Sequence, residues 1–288
     1  MRGTLRVGLS DTPIAREHRR LLETALRRGK ALPEEAIAQG LSREYPAALL
    51  AAAREGWRQR MAHEHRSSTV FSQLLPQLIA AGTDLDMKTC VLRMAMDELR
   101  HAGLCGAVIE ALGGRAEIEV DLTTTPLPTH EDSSPRVAAL RNVFFVCCLS
   151  ETVAISVMAH ELELIEEPVL RLAVEQLSAD ESLHGRFGWL YLGQVWPSLT
   201  DDEREAFVRY LPVAFAFFER DLLSSVPEIA YEGREVGDAL WSLGVRDAAS
   251  TRELMYATIE EVIAPRLEEL GVPARAAWEE RAQGAGVG

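Results

Sequence analysis

Lysine is nearly absent from this chain, occurring only at positions 30 and 88. Arginine carries almost all the positive charge and is far outnumbered by carboxylates, so the formal net charge is −14 at pH 7. A protein this short of cations is a poor general binder of nucleic acid or of anionic membranes, whose affinity rests on Lys and Arg. That argument leaves room for a local basic patch. Cysteine is scarce too, and Cys90, Cys105, Cys147 and Cys148 have no zinc-type spacing. The adjacent pair 147–148 sits in an apolar run and reads as two small buried hydrophobes.

A signal core and a membrane span are also wanting. The N-terminal region has no apolar core, and its Arg-rich stretch from Ile14 to Arg28 is broken by Glu17 and Glu23, unlike a transit peptide. Val143 to Ala159 is the most apolar segment, but Ser150, Glu151 and Thr152 interrupt it and it is short for a span. Together these absences predict a soluble, reduced, cytoplasmic protein. With 47% hydrophobic residues, the chain can bury a sizeable core.

Strand signals are nearly absent, whereas helical periodicity recurs along most of the chain. Four long helices are expected, over about 46–81, 84–112, 135–164 and 167–195. Thr83 is the expected N-cap of the second, with Asp84 and Asp86 in its first turn. Ser134 and Pro135 suit the N-cap and first position of the third, and Gly82 and Gly113–Gly114 supply stops. The first two helices, and the last two, are joined by a few residues and should be antiparallel neighbours. Between the second and third lie residues 113–134, which could extend about 70 Å, whereas a 30-residue helix is only about 45 Å long. That connection can run the length of a bundle. Two hairpins joined by one long crossover is a ferritin-like arrangement. Further helices are expected over about 200–223, opened by a Thr200/Glu203 capping box, and 248–270. Residues 227–247 read as irregular and 284–288 as a frayed tail. The expected organisation is all-α and a single domain, 1–288, with a core at 46–195 and flanking helical segments at 1–45 and 196–288.

Against this background two five-residue phrases stand out: Asp97-Glu98-Leu99-Arg100-His101 and Asp180-Glu181-Ser182-Leu183-His184. No other histidine has a Glu three residues before it. Positions i and i+3 share a helix face, so each Glu/His pair can hold one metal from the same side. One such pair is a weak signal; two, both preceded by Asp and both on apolar stripes, are not readily dismissed. The stripes run Val91, Met94, Glu98, His101, Cys105, Ile109 and Val174, Leu177, Glu181, His184, Gly188, Tyr191. On the first helix, Glu64 is the charged exception in Trp57, Met61, Glu64, Ser68, Phe71, Leu75. On the third, Glu151 is the exception in Phe144, Cys147, Glu151, Ile155, Met158, Leu162. Four buried carboxylates without cations would cost several kcal/mol each, whereas four Glu with two divalent ions are formally neutral. Oxygen and imidazole donors suit iron or manganese. Asp97 and Asp180 can each accept a ring N–H from a ligating His.

The pattern Glu…Glu-x-x-His…Glu…Glu-x-x-His resembles the ferritin-like di-iron carboxylate superfamily over roughly residues 57–195. The Asp-Glu-x-x-His phrases are similar to its oxygen-activating branch, including bacterial multicomponent monooxygenase hydroxylases. p-Aminobenzoate N-oxygenase relatives share the spacing but carry a further His where this chain has Leu177. The resemblance implies that Glu64 and His101 serve one metal, Glu151 and His184 the other, and that Glu98 and Glu181 bridge. It implies two Fe ions or an Mn/Fe pair, O2, an external electron donor, a small organic substrate and a homodimer, and monooxygenase or oxidase activity. Two other readings stand beside it: an iron-binding or peroxide-detoxifying protein of ferritin or rubrerythrin type, and a non-catalytic helical interaction module.

Other residues have plainer readings. Ala102, Cys147, Ser150, Ala154 and Gly185 either leave room for O2 or substrate or let helices pack closely. His63, His65 and His160 read as surface or rim residues, and Tyr191 as core packing, with a radical or electron relay as the alternative. His18 and His130 carry no function, and the Arg16, Arg19, Arg20, Arg27, Arg28 stripe reads as a solvated helix face.

Overall fold

The structure, a computed structural model, describes residues 12–14, 16, 17, 20, 32–120, 125–226 and 234–284. It is all-α, with no strand among the described residues. A short helix α1 (Glu34–Gln39) precedes the long hairpin of α2 (Ala47–Ala80) and α3 (Leu85–Ala111). The second hairpin is α4 and α5 (Pro168–Val195). Helix α4 has three parts: Pro135–Val143, a π-helical stretch Phe144–Ser150, and Glu151–Leu164. Then come α6 (Asp201–Ser225), α7 (Arg234–Trp241), α8 (Ala248–Thr258, π-helical Ile259–Ile263, Ala264–Glu269) and α9 (Ala274–Gly284). α2 packs along α3, α4 along α5, and α3 against α5.

The turns follow from local chemistry. Gly82 and Gly113 take φ of 69° and 72°, which glycine adopts without a Cβ penalty. The N–H groups of Thr83 and Gly114 reach back to the carbonyls of Leu78 and Ile109 and close both helix ends. The Thr83 hydroxyl joins the same closure by donating to the Leu78 carbonyl at 2.9 Å. Thr83 therefore finishes α2 rather than opening α3, whose N-cap is Asp84, with no side-chain cap bond. Ser134 caps α4 and the Thr200/Glu203 box opens α6, both as expected.

The crossover runs the length of the bundle. Arg54, near the start of α2, donates to the Leu112 carbonyl where the crossover begins. Gln73, near the end of α2, holds its far part, donating to the Thr125 carbonyl and accepting from the Leu127 amide. These anchors are separated by about 28 Å of helix. α4 therefore starts at the same end as α3 and runs parallel to it, and α5 returns antiparallel to α3. Residues 121–124 of the crossover lie outside the described set.

Two expectations on the flanks change. Part of the stretch read as irregular forms α7, and α9 follows the last expected helix; residues 227–233 and the tail 285–288 lie outside the described set. The turn after α7 is fixed on the bundle, with the Trp57 indole donating to the Leu243 carbonyl at 2.8 Å. On α2 the buried positions beyond Phe71 are Leu74 and Leu78, with Leu75 half-buried. The apolar α4 is long enough to cross a membrane by composition alone, but most of it is buried inside the protein.

α4 and α5 touch at backbone distance. A Cβ added at Gly188 would lie 2.5 Å from the Cys147 Cβ and 2.8 Å from its carbonyl carbon, and one at Gly185 would lie 3.2 Å from Ile155. At Cys147 and Gly185, close packing is thus the reading the structure supports. Gly188→Ala is expected to destabilise the protein by about 2–3 kcal/mol through overpacking, lowering Tm by roughly 5–10 °C. Thermal unfolding followed by circular dichroism tests this; an unchanged Tm would show that α4 can retreat freely.

Candidate metal centre

Each bundle helix places its carboxylate at one height. Glu64 comes from α2, Glu98 and His101 from α3, Glu151 from α4, and Glu181 and His184 from α5. All six sequence-predicted ligands are buried, both histidines completely. They form two overlapping groups whose donor atoms lie within 4.8 Å of one another: Glu64, Glu98, His101, Glu181, and Glu98, Glu151, Glu181, His184. Glu98 and Glu181 belong to both.

The finer geometry explains that overlap. His184 Nδ1 is 3.1 Å from Glu98 Oε1 and 2.7 Å from Glu181 Oε2. His101 Nδ1 is 3.2 Å from Glu181 Oε1, 3.6 Å from Glu64 Oε2 and 3.9 Å from Glu98 Oε2. Each central carboxylate thus turns one oxygen toward each imidazole. Donors sharing an ion about 2.1 Å away lie roughly 3–4 Å apart, close to the 2.7–3.9 Å found here. Both Nδ1 atoms, Glu98 Oε1 and Glu181 Oε2 are buried without a hydrogen-bond partner. Buried polar atoms are rarely left so; His184 Nδ1, Glu98 Oε1 and Glu181 Oε2 face one another and His101 Nδ1 belongs to the second group, an arrangement that fits cations. Glu64 and His101 would hold one ion, Glu151 and His184 the other, with Glu98 and Glu181 between them.

Without cations, the carboxylates and imidazoles settle their charge among themselves. Burial and the neighbouring Glu181 push the Glu98 carboxyl up to about 8. Burial, then Glu181 and Glu98, pushes Glu151 well above the carboxylate range. Burial opposes charge on the histidines, but Glu181 chief among their neighbours outweighs it, raising His101 to about 10 and His184 well above its ordinary value. Those same histidines overcome burial at Glu181 and hold it well below its usual range. His101 likewise overcomes burial at Glu64 and lowers it.

The outer partners cross over. His101 Nε2 meets Asp180 Oδ2 at 3.1 Å, while His184 Nε2 faces Asp97 Oδ2 at 3.6 Å. Each Asp faces the histidine of the other helix, and the Asp180–His101 pair is within hydrogen-bond distance. Each Asp also has an arginine: Arg93 donates from Nε to Asp97 Oδ2 at 3.1 Å and pairs in charge with Oδ1 at 2.6 Å, and Arg100 contacts Asp180. With two divalent ions, the four Glu are balanced by metal and the two Asp by arginine.

Several features here escaped the sequence reading. Arg93 stands four residues before Asp97, a helix pair that could have been found. Arg100 lies inside the first phrase. The π-helical stretch ends at Ser150, immediately before Glu151, and re-phases α4 where its ligand must face inward. No local signal marks it, because an all-apolar run has no periodicity to break.

The remaining histidines stay off the ligand faces. His63 and His65 are exposed, and His160 is half-buried with its ring edge-on to Trp241. His130 pairs with Asn142 under the crossover. Tyr191 is fully buried in the core, its hydroxyl unpartnered, beside a cavity of about 420 Å³ also lined by Met87 and Arg136. His18, Arg19, Arg27 and Arg28 lie outside the described residues, and Arg20 bonds to Glu17.

No family model and no curated protein matches this chain. The reading of the site rests on its own residues.

Proposed function

We propose that this chain is a ferritin-like non-haem di-iron, or Mn/Fe, oxidoreductase that uses O2 to oxidise a small organic molecule. The observation that carries the reading is the pair of Glu-x-x-His phrases meeting across antiparallel helices, each central carboxylate offering one oxygen to either side. Two redox-active ions would supply the electrons and open positions that O2 chemistry needs. The chain's own part is to fix the ligands. Asp180 accepts the His101 ring proton on Nε2 and so keeps Nδ1 free toward the centre, and Asp97 stands opposite Nε2 of His184 for the same task. Burial excludes bulk water, with Phe71 edge-on to the His184 ring at 5.2 Å. In this reading the protein works in the cytoplasm and draws electrons from an external donor.

The test is O2 uptake by metal-replete protein after anaerobic reduction, followed with an oxygen electrode. Uptake above that of a free ferrous control, lost in Glu98→Ala, is expected. A metal-replete protein that takes up no O2 would sink the catalytic reading.

A further inference from the structure

Toward the start of α2, above Glu64, a second buried cluster has its charges out of balance. Glu161 of α4 is completely buried, and two guanidiniums converge on the same oxygen. Arg60 of α2 is in close contact with it, and Arg246, from the turn after α7, donates Nε at 3.1 Å. The Arg60 side chain is only 8% exposed and its Nη1 has no partner. Its guanidinium lies 4.8 Å from the Trp57 ring centre, so packing as well as charge fixes it there. Two cations share one carboxylate, which leaves one positive charge over.

The metal centre has no charge to spare for it. Arg60 stands one helical turn before Glu64, about 6 Å along the axis. Glu64 acts electrostatically on both arginines, and Cys105 feels all four charged groups. Once two divalent ions are bound, however, the four ligand carboxylates are neutralised by them, and Asp97 and Asp180 by Arg93 and Arg100. The centre and the cluster together are then one monovalent anion short of neutral. Unbalanced buried charge is unfavourable, and a planar guanidinium fork matches a carboxylate better than any other common anion except phosphate.

The surroundings say what else such an anion would carry. Met61, Cys105, Met158 and Leu177, one from each bundle helix, belong to the apolar cluster that includes Trp57. They offer no hydrogen bond to a polar body, and two are methionines, whose flexible thioethers repack around a guest. Arg246 is 26% exposed, so the cluster reaches solvent on that side.

We propose that Arg60 and Arg246 form a carboxylate-binding site, and that its ligand is a small monocarboxylate whose apolar body lies against Met61 and Met158 and points toward Glu64. Calling that ligand the substrate rests on the function proposed above; the binding site itself does not.

Isothermal titration of the full chain, metal-loaded and metal-free, with hexanoate and with its neutral isostere hexanamide, tests this. Hexanoate is expected to bind saturably to the loaded protein, and hexanamide at least about tenfold more weakly. Arg246→Gln leaves Glu161 paired with Arg60, so the fold is kept. It should weaken hexanoate binding at least about tenfold and leave hexanamide binding and metal content unchanged. Equal binding of the two compounds in the wild-type protein, or no saturable hexanoate binding, overturns the proposal without recourse to any variant. Hexanoate binding insensitive to Arg246→Gln places the carboxylate elsewhere, the ions included, and overturns it too. Metal content read on the same samples keeps a failure of the metal centre distinct from a failure of the carboxylate site.

Discussion

Glu98→Ala is expected to empty both metal positions, whereas Glu64→Ala or Glu151→Ala should empty one. The difference follows from how the oxygens are aimed. Glu64 lies on the His101 side only and Glu151 on the His184 side only. Glu98 sends Oε1 to within 3.1 Å of His184 Nδ1 and Oε2 to within 3.9 Å of His101 Nδ1. Its removal takes a donor from each position and the negative charge that lets two dications sit side by side. Like charges about 3.5 Å apart repel strongly in a buried site, and only the intervening carboxylates offset this. Metal content after gel filtration should fall from about two ions per chain to near zero in Glu98→Ala and to near one in Glu64→Ala. Equal losses in all three variants would show that Glu98 is a terminal ligand and that the paired geometry is wrong.

Loading the centre at pH 7 should release about four protons per chain, one of the largest proton linkages a site of six residues can produce. In the metal-free protein Glu98, raised to about 8, is mostly protonated at pH 7, and Glu151, which burial also pushes well above the carboxylate range, is expected to hold its proton too. His101, raised to about 10, and His184, also raised, are imidazolium. Glu64 and Glu181 are held low and ionised. The empty centre is thus neutral, with two carboxylates facing two imidazoliums and two neutral carboxyls beside them. Ligands must be deprotonated to bind metal, so all four protons leave. The sign is clear: affinity falls as pH drops, and the product of the two binding constants should change by about 10⁴ per pH unit below 7. Calorimetric titrations at pH 7 in buffers of different ionisation enthalpy give the proton count directly. A count near zero would mean that the buried residues do not share their charge in this way.

Much of this site was legible in the sequence because helices convert spacing into geometry. Glu98 and His101 share a face by their separation alone, and every member of that stripe from Val91 to Ile109 is buried. Glu64 and Glu151 were found as lone charges on apolar stripes, and hairpins with short turns brought them to the height of the phrases. The crossover was readable from length, since residues 113–134 can outreach a helix. Features that needed the third dimension were not readable. The exchange of Asp97 and Asp180 between helices depends on which ring nitrogen turns inward, and sequence is silent on that. The π-helical stretch before Glu151 was hidden in an apolar run. Thr83 could plausibly serve either helix, and the choice fell to the Schellman turn at Gly82. Arg246 lies beyond α7 in a segment with no periodicity, where it meets Arg60 and Glu161 only through folding of the C-terminal part.

The most direct test of a paired metal centre is the metal content of the wild-type chain, expressed with ample iron and manganese, desalted and measured by mass spectrometry against protein concentration. The account predicts close to two ions per chain, iron with iron or with manganese. Metal-free protein, or a single ion per chain that persists when Glu98 is replaced by alanine, would contradict it.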